Sequence, residues 1–255
     1  MMAGVSVGES ISFDKVAAIY DATRGGLERG IRFAGAIEPY CGPGPVVEIG
    51  VGTGAIAKPL RDRLGRTVCG ADLSGEMLNH ARTRLGSAVV RSDVARLPVR
   101  DGVVGTVLAC WVLHLVGDPQ ATLREARRVL GRDGRLVVVS SRGELEPDDV
   151  DGAMVDLHDV LRGRIDVSER LIPLARSCGL EIVTEVLTDP GTWPEAPLDM
   201  VERLERRQWG VLIDLDDERF AEHVQPVIDR LRALPDPARP RTRIGRHRLF
   251  VFRPA

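Results

Sequence analysis

Three acids carry the first chemical signal in this chain, each at the end of an apolar run. Glu48 lies in Val46-Val47-Glu48-Ile49-Gly50-Val51-Gly52-Thr53-Gly54, two residues before the first of three glycines spaced two apart. Asp72 closes Thr67-Val68-Cys69-Gly70-Ala71-Asp72, and Asp93 closes Ala88-Val89-Val90-Arg91-Ser92-Asp93. A buried strand that feeds a glycine turn and a helix N-terminus lets backbone approach a nucleotide closely. Asp72 stands 22 residues after Gly50, about where a strand-end carboxylate meets a ribose diol. Glycines alone leave the ligand open, because Gly50, Gly52 and Ala55 also satisfy the dinucleotide pattern G-x-G-x-x-G/A.

Order and spacing add more. Glu48 precedes the turn as E-x-G-x-G-x-G, and a fourth apolar run over 106–114 is followed by Gly117-Asp118-Pro119. With the segments Gly70-Ala71-Asp72-Leu73-Ser74-Gly75-Glu76-Met77-Leu78 and 123–136, this order resembles the class I S-adenosylmethionine-dependent methyltransferases, in particular their small-molecule branch. The resemblance is dense over 46–141 and thin elsewhere.

The resemblance implies a cofactor, S-adenosylmethionine, and a site. Gly50, Gly52 and Gly54 pass beneath its methionine and ribose. Asp72 accepts hydrogen bonds from both ribose hydroxyls, a charge-assisted bidentate contact, while Ser74 suits the helix N-cap. Leu73 and Met77 flank the adenine. Asp93 faces the adenine amino group, with the Val94 amide toward the ring. The acid matching Glu48 steadies the turn and the methionine amino group. Tyr20 and Arg24, in a helix like one that caps the cofactor in relatives, touch the methionine end and its carboxylate. Cys110 and Trp111 follow the fourth strand, where backbone meets the methionine moiety. Amino-directed nucleic-acid methyltransferases carry D/N/S-P-P-aromatic there, whereas this chain has Ala109-Cys110-Trp111-Val112.

Methyl transfer is an in-line displacement in which positioning supplies much of the rate. For a general base, His114 is the best-placed catalytic candidate, near the transfer edge and able to titrate near neutrality. His158 and His223 are weaker ones. The acceptor is expected to be a small, partly apolar molecule methylated on oxygen or carbon, with the insertion's Phe220, Val224, Val227, Trp209 and Trp193 as candidate walls. A nicotinamide-dependent oxidoreductase is the rival enzyme, disfavoured by the absence of a Tyr-x-x-x-Lys pair; Lys15 and Lys58 are the only lysines. A non-catalytic cofactor-binding partner is the third class.

These residues need a parallel sheet to bring them together. Strands are read at 46–50, 67–72, 88–93, 106–113, 135–141, 181–187 and 247–253, and helices at 54–64, 74–85, 119–130 and 168–178. Such alternation means a doubly wound, mostly parallel α/β sheet covered by helices on both faces. The resemblance makes it seven-stranded, with the last strand antiparallel between the fifth and sixth. Residues 1–44 read as a helical cap, 45–188 with 247–255 as the cofactor-binding core, and 189–246 as a helical lid. Phe220, Val224, Val227, Ile228, Leu231 and Leu234 give the lid an apolar helical face, and Pro226 kinks that helix or marks its start.

Composition narrows the partners. Net charge is −2 and hydrophobic content 44%, so no global field points to nucleic acid. The arginine run Arg239, Arg241, Arg243, Arg246, Arg248 lacks interleaved aromatics for base stacking and reads as a solvated connector. Cys41, Cys69, Cys110 and Cys178 show no metal or disulfide spacing, which suits a reducing, cytoplasmic setting without a metal. No signal peptide or membrane span is expected, and oligomeric state is not legible.

Overall fold

A computed structural model describes residues 10, 13–155, 157, 165–213 and 215–255. His158 lies outside the described residues. The chain divides into two compact units: one takes the chain up to Ser141 with Ile165–Val186 and Arg248–Ala255, the other Arg142–Arg164 and Leu187–His247.

In the first unit, helices α1 (Ala17–Arg24) and α2 (Gly26–Ile37) precede β1 (Val46–Ile49), α3 (Ala57–Leu64), β2 (Val68–Asp72), α4 (Gly75–Leu85), β3 (Val89–Arg91), β4 (Val104–Cys110), α5 (Pro119–Val129) and β5 (Leu130–Leu145). After α6 (Asp149–Met154) of the second unit come α7 (Ser168–Ser177), β6 (Leu180–Leu187), β7 (Gly191–Glu195), α8 (Pro197–Glu205), α9 (Gln225–Arg232) and β8 (Arg241–Pro254). The strand order is β3-β2-β1-β4-β5-β8-β6, parallel except for β8. β1 pairs in parallel with β2 on one side and β4 on the other. The order therefore reverses at the β1/β4 boundary, where open α/β sheets place ligands beyond the carboxyl ends of the strands.

The central strands are apolar because helices cover both faces. All four residues of β1 and all seven of β4 are buried. One face packs Val107, Leu123, Val129, Leu136 and Phe250; the other packs Phe33, Ile37, Leu60, Leu78 and Val137. Phe33, Ala34 and Ile37 thus tie α2 into the core of the first unit. Gly30 makes that approach possible: a Cβ there would stand 1.8 Å from the Ala55 carbonyl oxygen.

The second unit has its own core of Val150, Met154, Met200, Leu204, Val224, Val227, Ile228 and Leu231. Its apolar helical face is where the sequence placed it. Pro226 sits in the first turn of α9, directly after a π-helical turn over Phe220–Val224. Val224 and Val227 are buried in that core. Two further features depart from expectation. Residues 191–195 form a strand, β7, antiparallel to the start of β8, so the insertion is not wholly helical. The arginine run is also not a solvated connector, since Arg241, Arg243, Arg246 and Arg248 lie within β8. Arg243 is 2% exposed and pairs with Asp148 at 2.5 Å and Glu195 at 2.8 Å; Arg241 pairs with Asp149 at 2.9 Å.

Candidate functional site

The glycine turn is held by the end of β2. Gly50 and Val51 donate backbone hydrogen bonds to the Ala71 carbonyl at 2.8 and 3.0 Å. Asp72 then accepts the Gly52 amide at 2.8 Å and the Ser74 amide at 2.9 Å, one on each carboxylate oxygen. Gly50 has φ +67°, and a Cβ there would meet Val112 Cγ2 at 2.5 Å. Gly52 has φ +53° and nothing within 4 Å of a Cβ position. The first glycine is required by packing, while the second leaves room above the turn. Ser74 caps α4, accepting the Met77 amide at 3.0 Å, so Asp72 is not needed as the cap.

Beyond these strand ends lies a cleft of about 630 Å³, open solvent included. Nine of the sequence candidates line it: Tyr20, Gly50, Gly52, Asp72, Leu73, Met77, Asp93, Val94 and Cys110. They come from α1, the first turn of α4 and the ends of β1, β2, β3 and β4, all within the first unit. Asp93 also accepts the Ala95 amide at 2.9 Å, a local turn that fixes its carboxylate. Burial pushes the Cys110 thiol well above its ordinary range, which makes it a wall and not a nucleophile.

Glu48, Gly54 and His114 do not line the cleft. Glu48 is 2% exposed and takes a hydrogen bond from the Ala57 amide at the start of α3, while its Oε2 has no hydrogen-bond partner among the described residues. Burial drives its pKa well above the carboxylate range, the Ala57 bond opposes this, and the nearby Asp72 charge adds to it. Gly54 faces Ala81 and Leu85 of α4, letting helix and turn pack closely. His114 follows β4 in the turn between the lining residues Val112 and Leu115.

The N-terminal segment is pinned over the strand ends at three places. Ser10 Oγ accepts the Gly117 amide at 3.0 Å. Asp14 accepts the Ser74 hydroxyl and, at 3.1 Å, the Glu76 amide. Asp21 accepts the Thr53 hydroxyl at 2.7 Å. Between these pins, Phe13 and Tyr20 line the cleft and meet edge to face, 5.9 Å between centroids.

Sequence reasoning missed Arg29. Its guanidinium stacks on the Trp111 ring, 3.6 Å from the centroid, and Trp111 lines the cleft with an uncommon φ of +52°. No carboxylate pairs with Arg29 among the described residues, and burial pulls its pKa down to about 10. Neither Arg29 nor Arg24, the sequence candidate, is among the lining residues. The two arginines lie five positions apart in one helical region, and no local pattern separates the enclosed one from the other.

The cleft thus presents a carboxylate at a strand end, room above Gly52 and apolar walls from Leu73, Met77 and Val94, with a guanidinium nearby that no carboxylate pairs with among the described residues. The sheet order and the glycine turn after β1 define a Rossmann-like fold. Comparison with known proteins is specific about the type. Residues 47–138 match a methyltransferase domain family. A phosphatidylethanolamine N-methyltransferase of Cereibacter sphaeroides is 30% identical over 186 residues, 68% of this chain and 88% of that one. A malonyl-(acyl-carrier protein) O-methyltransferase of Geobacter sulfurreducens is 33% identical over 134 residues, 48% of this chain and 49% of that one. The match thus spans about half the length of the latter relative. In fold, the chain is similar to a putative methyltransferase of Bacillus halodurans, with TM-score 0.59 at 18% identity, covering 88% of this chain and 99% of that one. The chain belongs to the class I S-adenosylmethionine-dependent methyltransferase family.

Proposed function

We propose that this protein transfers a methyl group from S-adenosylmethionine to oxygen or carbon of a small, partly apolar molecule. The observation that carries this reading is the convergence of Tyr20, Asp72, Met77, Asp93 and Cys110, from α1, α4 and three strand ends, on one cleft in a chain of this family. When bound, S-adenosylmethionine supplies a methyl carbon activated by a positive sulfur.

The residues of the chain supply position and exclusion of water, which together lower the barrier to displacement. Asp72 is proposed to hold the ribose hydroxyls with the lone pairs that the backbone amides leave open. Asp93 and the Val94 amide are proposed to read the adenine edge, with Leu73 and Met77 against its faces. Tyr20 and Arg29 are proposed to meet the amino-acid tail, Arg29 through its carboxylate. Glu48 and Gly54 are proposed to act from behind the turn, fixing its conformation against α3 and α4. His114 is proposed as the general base.

The acceptor class is supported by the rest of the lining. Phe13, Trp111, Val112, Leu115 and Val116 are apolar walls, the usual frame of a small-molecule pocket. The pairing of Arg241 and Arg243 with Asp149, Asp148 and Glu195 speaks against that run as a phosphate-binding surface. The test is incubation with methyl-labelled donor and extracts of the source cell, read by mass spectrometry. A labelled small molecule is expected. Label found only in RNA, DNA or protein would overturn the acceptor class, and no label at all would overturn catalysis.

A further inference from the structure

Helix α2 is apolar on two sides. Gly30, Phe33, Ala34 and Ile37 are its buried residues. Leu27 and Ile31 stand elsewhere on it, one turn apart and so on one face, and are 43% and 52% exposed. Single apolar side chains at a surface are ordinary, but a helix face turned only to solvent is polar.

This pair is set among cations. α2 packs on α3, and residues 24–38 and 57–66 together hold seven Arg or Lys against three Asp or Glu, in a chain of net charge −2. One turn beyond Ile31 is Gly35, where a Cβ would stand 3.8 Å from the Arg63 guanidinium carbon. Arg63 therefore overhangs the face of Leu27 and Ile31, while pairing with Glu38. Arg32 is exposed, with its guanidinium 5.3 Å from the Phe33 ring centroid, and pairs with no carboxylate among the described residues. Burial lowers the Arg29 pKa, and the charges of Arg24 and Arg32 add to that, so three guanidiniums crowd one another here. Glu28, exposed on the same helix, is the opposing charge.

We propose that the outer face of α2, with the basic side chains of α2 and α3, docks on an anionic lipid surface, Leu27 and Ile31 entering the boundary between headgroups and acyl chains. Aliphatic side chains supply the apolar part of such binding, and arginines pair with lipid phosphates. A bilayer suits this face better than a protein does. A ridge of two aliphatic side chains offers little toward the roughly 800 Å² that each partner gives to a stable protein interface, whereas a fluid surface yields around it. Nothing in this docking depends on methyl transfer.

Sedimentation of the full chain with lipid vesicles tests the proposal. Vesicles of phosphatidylcholine mixed with phosphatidylglycerol are expected to carry the chain down, vesicles of phosphatidylcholine alone are not, and added salt should release it. Leu27→Ser combined with Ile31→Ser should lower vesicle affinity about tenfold or more. Arg32→Gln should lower it about fivefold, the worth of one basic residue at an anionic surface, and Glu28→Gln should raise it by a similar factor. S-adenosylhomocysteine affinity within about twofold of wild type shows that each variant is folded. Equal sedimentation with both kinds of vesicle, or full binding by the folded Leu27→Ser, Ile31→Ser variant, would overturn the proposal. Arg32→Gln and Glu28→Gln alter only exposed charge and decide by their opposite signs even if that variant fails to fold. Binding to soluble polyglutamate but not to anionic vesicles would overturn the bilayer in favour of an acidic protein partner.

Discussion

The Thr53 hydroxyl donates to the Asp21 carboxylate across 2.7 Å, joining the glycine turn to α1. Arg84 of α4 closes the arrangement, pairing with Asp21 at 2.5 Å and donating to the Thr53 carbonyl at 2.8 Å. Thr53 is 2% exposed, so its hydroxyl would otherwise be a buried donor without a partner. Tyr20 immediately precedes Asp21, so this contact sets the cleft wall from α1 and the turn from β1 in one geometry.

Asp21→Ala and Thr53→Val are each expected to weaken S-adenosylhomocysteine binding about tenfold, roughly the worth of one hydrogen bond to a charged group. The double variant should lose little more, because the residues act as one contact. Titration calorimetry decides; additive losses would show two separate effects. The Arg84 and Thr53 bonds outweigh burial and hold the Asp21 carboxyl below its ordinary value. Its contribution to stability is present above the unfolded carboxylate value and is lost as pH falls through the lower folded value. Asp21→Asn should therefore flatten the acid limb of a thermal-stability profile.

Asp72→Ala should cost about 1.5–3 kcal/mol of cofactor-product binding, on the order of ten- to a hundredfold. Because Asp72 also holds the Gly52 and Ser74 amides, thermal stability should fall as well. Unchanged affinity in a folded variant would take Asp72 out of the site.

Two neighbouring glycines should behave differently. Gly50→Ala forces a side chain into Val112 at 2.5 Å and at positive φ, so it should destabilise the fold by ~2–4 kcal/mol, combining strain and overpacking. Gly52→Ala meets no atom and should cost only ~1 kcal/mol of stability, from the left-handed backbone. Its methyl would intrude on the ligand, so affinity should fall more than stability. Denaturant titration beside calorimetry separates the two.

Glu48 is expected to make stability fall as pH rises above the ordinary carboxylate value. Its folded-state pKa is raised, chiefly by burial, so the protonated form favours the fold. That contribution is whole below the ordinary carboxylate value and is lost as pH rises through the raised one. Glu48→Gln should remove this slope, and a wild-type profile that climbs over the same window would contradict the assignment.

Arg29→Ala should weaken S-adenosylhomocysteine about tenfold or more while leaving 5′-methylthioadenosine, which has no carboxylate, within about twofold. Equal losses for both would mean that Arg29 acts only by supporting Trp111. Arg24→Ala serves as the comparison, expected to change neither by more than about twofold.

The turn and its acids were legible in the chain because their signal is local. Gly50, Asp72 and Asp93 each end a short apolar strand, and parallel strands necessarily bring such ends to one edge. The apolar face of 220–234 was equally plain, but amphipathic spacing says that a face is buried and not what buries it; Val224 and Val227 went to a core of their own. In the arginine run, residue type could not separate Arg239 from Arg243. The pairing of β7 with β8 did so, enclosing one guanidinium with two acids. Arg29 reaches Trp111 across 82 positions. Contacts of that separation leave no periodic trace, because they arise when packed helices and strand ends meet. Sequence therefore determined the strand-and-turn frame and the acids at its edge, while tertiary packing alone decided which arginine is enclosed against the cleft wall.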